Sequence, residues 1–67
     1  MTKTEREVLR TTADGGSYEL PMRLLPAVER LDAAGLIDHS VDGGYIWCSL
    51  TDRGRAAAIA AGLNKRE

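Results

Sequence analysis

Along the chain, apolar residues recur first at helical spacing. Val8, Leu9, Thr12 and Ala13 form one stripe, preceded by Thr4-Glu5-Arg6-Glu7, whose Thr-x-x-Glu spacing predicts a capping box. In that box the Thr4 hydroxyl accepts from the Glu7 amide while the Glu7 side chain reaches back. Asp14-Gly15-Gly16 ends this first helix, glycine taking the left-handed turn at least cost. Ser17-Tyr18-Glu19-Leu20 suits a brief strand with Tyr18 and Leu20 on one face, or else the stump of a helix. A second helix follows, with Leu24, Val28 and Leu31 at i, i+4 and i+7 and Leu25 alongside. Pro26 places its start near Arg23 or Leu24, because proline is tolerated only within a first turn, and Gly35 closes it.

After Gly35 the period falls from that of a helix to two. Leu36 to Val41 and Tyr45 to Leu50 flank Asp42-Gly43-Gly44, a strong hairpin-turn signal. Ile46, Cys48 and Leu50 share one face of the second strand; Tyr45, Trp47 and Ser49 share the other. Thr51 is the predicted N-cap of a last helix, with Asp52 complementing its dipole, Ala56 to Ala61 forming its body and Gly62 ending it. Residues 1–67 read as a single α+β domain, with residues 64–67 a frayed tail.

Composition narrows the function. The chain is 43% hydrophobic and 28% charged, as in ordinary globular proteins. A chain of 67 residues buries only about 60% of its unfolded surface, which leaves little room for a deep active site. No Gly-rich phosphate loop, paired-carboxylate arrangement or nucleophile-base motif is visible, so a non-enzymatic role with no cofactor is expected. Cys48 is the lone cysteine, and His39 has no Cys/His cluster beside it to hold a metal. The apolar runs are far shorter than the ~20 residues that span a bilayer, and the acidic start does not suit a signal peptide. A cytoplasmic setting without a membrane partner is the expectation. Nine Lys and Arg against ten Asp and Glu give a net charge of −1, which supplies no global attraction to nucleic acid.

Leu31-Asp32-Ala33-Ala34-Gly35-Leu36-Ile37-Asp38, followed by Ser49-Leu50-Thr51-Asp52-Arg53-Gly54-Arg55, resembles the winged helix-turn-helix regulators of the PadR and MarR type. Leu24 to Leu31 is similar to the PadR-type recognition helix, and the likeness runs from about Glu5 to Gly62. It implies a winged-helix fold: helix, short strand, recognition-type helix, two-stranded β-hairpin wing and C-terminal helix. It also implies a DNA-binding transcriptional regulator that reads double-stranded DNA as a homodimer. On that reading Arg23, Ala27 and Arg30 face the major groove, and Gly43 and Gly44 form the tip of the wing.

Two departures favour another partner. Only Pro21 and Met22 separate Leu20 from Arg23, so the helix that normally precedes the recognition helix is deleted or reduced to one turn. The wing from Asp38 to Gly44 carries no Lys or Arg, whereas phosphate contacts supply most non-specific affinity for DNA. The alternative is a protein-binding module of the kind found among small phage or mobile-element antirepressors and inhibitors of host defence complexes. Tyr45, Trp47, His39 and Asp42 would then meet the partner. Tyr45 and Trp47 either form such a surface or pack on a flanking segment; His39 reads as a wing surface residue and Cys48 as a small buried apolar one.

Overall fold

The computed structural model describes residues 1–13 and 16–63. Over these residues the order is α1 (Lys3–Thr12), β1 (Ser17–Pro21), a 3-10 turn (Met22–Leu24), α2 (Leu25–Ala33), β2 (Ile37–Asp42), β3 (Tyr45–Leu50) and α3 (Asp52–Ala60). The architecture is α+β: among the described residues three α-helices accompany a three-stranded antiparallel sheet of order β1-β3-β2. No helix among them is long and apolar enough to cross a membrane.

Helix α1 starts earlier than its sequence suggested. Thr2-x-x-Glu5 has the same capping spacing as Thr4-x-x-Glu7, and the structure uses the first. Thr2 Oγ1 accepts from the Glu5 amide at 3.1 Å, and Glu5 Oε1 accepts from the Thr2 amide at 3.1 Å. The earlier start lengthens the helix and brings Glu5 onto the buried stripe with Val8, Leu9 and Thr12. The buried Thr12 hydroxyl donates to the Val8 carbonyl at 3.1 Å, so its burial leaves no orphan donor. Asp14 and Gly15, within the expected helix-ending turn, lie outside the described residues, as does the expected tail from residue 64.

The segment left open between strand and helix stump is a strand, β1, paired with β3. A 3-10 turn then leads into α2, which begins at Leu25, just beyond the expected start. Pro26 explains the tight turn. It has no amide to donate to the Met22 carbonyl in α-helical geometry, and the Leu25 amide takes that carbonyl instead. At the other end Gly35, at φ +79°, permits a Schellman cap. The Leu36 amide donates to the Leu31 carbonyl and the Gly35 amide to the Asp32 carbonyl, both at 2.9 Å.

Gly43 and Gly44, at φ +60° and +84°, form the two-residue turn between β2 and β3, the type I′ geometry that suits the right-handed twist of a hairpin. That turn sets Asp42 opposite Tyr45 and His39 opposite Cys48. One sheet face therefore carries Leu20, Ile37, Ile46 and Cys48, which join Val8 and Leu9 of α1 and Ala27, Val28 and Leu31 of α2 in the core. Thr51 caps α3, its hydroxyl accepting from the Gly54 amide at 3.0 Å and donating to the Gly35 carbonyl at 2.7 Å.

Candidate functional site

Of the residues expected to read DNA, Arg23, Arg30, Gly43 and Gly44 are exposed and Ala27 is buried. Arg23 is exposed in the 3-10 turn. Ala27, expected to face outward, is 2% exposed and belongs to the core. Because α2 packs against both α1 and β2, its apolar arc widens to include Ala27 beside Val28 and Leu31. Arg30 remains on the surface, but its Nε donates to Glu5 Oε2, an ion pair that crosses from α2 to α1. Gly43 and Gly44 lie at the open hairpin tip, with the carboxylate of Asp42 beside them.

The Arg30 guanidinium holds the Glu5 carboxyl below its ordinary value of about 4.5, and the hydrogen bond from the Thr2 amide acts in the same direction. The unfolded chain therefore binds this proton more readily than the folded one. The pair's contribution is complete above about pH 4.5 and is lost as pH falls through the lower folded value. In Arg30→Ala the Glu5 titration, followed by carboxyl carbon NMR, is expected to move up toward the ordinary range. An unmoved titration would remove Arg30 as its cause.

His39 is half-buried, its side chain 21% exposed. Its alternation places it on the core side of the sheet, where Nδ1 lies 2.5 Å from Asp32 Oδ2 and ties β2 to α2. Cys48 is its cross-strand partner, which makes an Asp-His-Cys trio worth testing as a nucleophilic site. The thiol is 2% exposed, and burial, reinforced by the Asp32 charge, pushes its pKa up. A cysteine nucleophile requires an accessible thiolate, and this one is buried and protonated. Cys48 packs as a small apolar side chain, as its sequence position suggested.

The opposite sheet face is open, and it gathers residues from all three strands. Tyr45 and Trp47 project from the central strand β3 and are 48% and 43% exposed; no segment among the described residues covers them. Trp47 is paired with Glu19 on one side and Ser40 on the other, and Tyr45 with Pro21 and Asp42. Cross-strand partners have Cβ atoms only ~5 Å apart, so these side chains are immediate neighbours. The next row is Ser17, Ser49 and Asp38. Ser17, Asp38, His39, Ser40, Trp47, Cys48 and Ser49 line a recess of about 300 Å³.

These nine positions include three carboxylates, Glu19, Asp38 and Asp42, and no Lys, Arg or His. The described ion pairs, Arg30 with Glu5 and His39 with Asp32, engage none of the three. Asp42, Tyr45 and Trp47 thus share a surface as expected, while His39 alternates to the core side and also borders the recess. Glu19, Asp38 and the serines are additions. The two-residue turn could have placed Asp38 and Ser40 on the Trp47 face from sequence alone; Ser17 and Glu19 required the β1 to β3 register. No protein-family model, curated protein or solved structure matches the chain, so its own residues carry the functional argument.

Proposed function

We propose that this chain is a reduced winged helix that acts by binding a protein through its open sheet face, without catalysing a reaction. The observation that carries the reading is Trp47, 43% exposed at the centre of a face that no other element among the described residues covers. Tryptophan and tyrosine supply large contact areas at low entropic cost and dominate binding hot spots. The order of helix, strand, one 3-10 turn, helix, hairpin and helix supports the scaffold assignment. In this assignment the 3-10 turn at Met22–Leu24 occupies the place of the helix that precedes a recognition helix.

Duplex DNA is the weaker reading. It keeps the exposed Arg23 and the open hairpin tip, but loses Ala27 to the core and has Arg30 paired with Glu5. The hairpin from Asp38 to Gly44 carries no Lys or Arg to displace the counterions of a duplex.

Affinity capture from the native host with wild type and Trp47→Ala tests the proposal. A specific protein is expected to be retained by wild type and lost with Trp47→Ala, while circular dichroism reports the same fold for both. Identical captures would end the protein-binding reading. A low-salt duplex shift that weakens steeply with salt and disappears in Arg23→Ala would replace it with the DNA reading.

A further inference from the structure

We infer that the recess beside Trp47 seats an arginine side chain from a basic segment of the partner protein. The inference rests on the open sheet face being the interaction surface, and it adds the chemistry of what that face takes. Three features converge on a cation. The indole of Trp47 borders the recess, and tryptophan is the best aromatic face for a cation, arginine being its commonest partner. Asp38 lines the same recess and Glu19 is the direct cross-strand neighbour of Trp47, so negative charge flanks the indole. Ser17, Ser40 and Ser49 add hydroxyl oxygens that can accept hydrogen bonds around the same space.

Arginine fits this set better than lysine or a neutral side chain. Its planar guanidinium stacks on an aromatic ring while its five N–H donors point outward in the ring plane, toward acceptors at the rim. A lysine ammonium offers a point charge without a plane to stack. An acidic segment or a nucleic-acid backbone would bring negative charge against Glu19, Asp38 and Asp42, with no Lys or Arg among the nine positions of the face to offset it and the one imidazole bordering the recess, His39, already held by Asp32. Asp42 beside Tyr45 extends the acidic character toward the hairpin tip, which suits a segment carrying more than one basic residue.

The chain supplies its own reporter, because Trp47 is its only tryptophan. The probe is a fluorescein-labelled eight-residue peptide of alternating arginine and serine, followed by anisotropy; unlabelled peptide is followed by Trp47 emission. Saturable binding with a change in Trp47 emission is expected, weakened about tenfold by Asp38→Asn with Glu19→Gln, by the removal of two flanking charges. Glu7→Gln with Glu29→Gln removes the same charge from exposed helix positions and is expected to leave binding unchanged.

Absence of saturable binding, or equal weakening by both double variants, would overturn the inference. Equal binding of a glutamate-serine peptide or of a duplex oligonucleotide would do the same. A partner that depends on Trp47 but binds the Asp38→Asn, Glu19→Gln protein unchanged would overturn the arginine assignment while leaving the protein-binding reading intact.

Discussion

Gly54→Ala is expected to remove a large share of the stability, because the added methyl group would occupy backbone space. Gly54 lies in the first turn of α3, and a Cβ there would stand 1.8 Å from the Leu36 carbonyl oxygen and 2.8 Å from its carbon. No rotamer relieves a clash with backbone. The same Leu36 oxygen accepts from the Thr51 amide at 3.1 Å, and Thr51 bridges the Gly54 amide and the Gly35 carbonyl. Moving α3 outward would therefore break the cap and the link to the end of α2 together. The expected loss is about 3 kcal/mol or more. Total stability for 67 residues is on the order of 3–10 kcal/mol.

Urea denaturation followed by circular dichroism should show a midpoint well below that of wild type. Gly43→Ala is the matched comparison, since nothing lies within 4 Å of its Cβ and its cost is confined to a φ of +60°. That backbone strain is worth about 1–2 kcal/mol. A wild-type midpoint for Gly54→Ala would mean that α3 does not dock on Leu36.

Ile46→Ala is expected to cost about 2–5 kcal/mol, the second large effect. Ile46 is 0% exposed in the central strand, with Leu20 and Val41 as its neighbours on either side. Truncation leaves a cavity beneath both edge strands, which a core this small has few side chains to fill. Ile46→Val should cost only about 0.5–1.5 kcal/mol, and Trp47→Ala, one residue along but on the open face, about 1 kcal/mol or less. Urea midpoints for the three variants check the order. A larger loss for Trp47→Ala than for Ile46→Ala would place Trp47 in the core and remove it from the interaction surface.

The contrast between Ile46 and Trp47 was legible in the sequence, because alternation in a strand depends only on local geometry. The same is true of the I′ turn at Gly43 and Gly44, the stop at Gly35, and the Thr51 cap. Each depends on residues within a few positions of one another. Even so, Thr2 and Thr4 offered identical capping spacings, and the choice between them lay in what Glu5 meets on α2. The Leu-Thr-x-x-Gly pattern at Leu50 to Gly54 was visible as a motif, but its reason was not. Only the folded chain brings Leu36 against Gly54.

The ion-pair partner of His39 and the burial of Ala27 were hidden in the sequence for related reasons. His39 read as a surface residue of the hairpin and nothing more, because its partner, Asp32, belongs to a different element. Ala27 was assigned to the outer face because a single helix does not reveal how many neighbours it packs against; α2 meets both α1 and β2, and its buried arc widens accordingly. The helices, the hairpin and the side of each β3 residue were thus determined by the sequence, through local hydrogen bonding and periodicity. Only the tertiary structure decided the pairing of Arg30 with Glu5, the burial of Ala27, and the convergence of Ser17 and Glu19 on Trp47. Those contacts join residues far apart in the chain, and no local propensity encodes which of them meet.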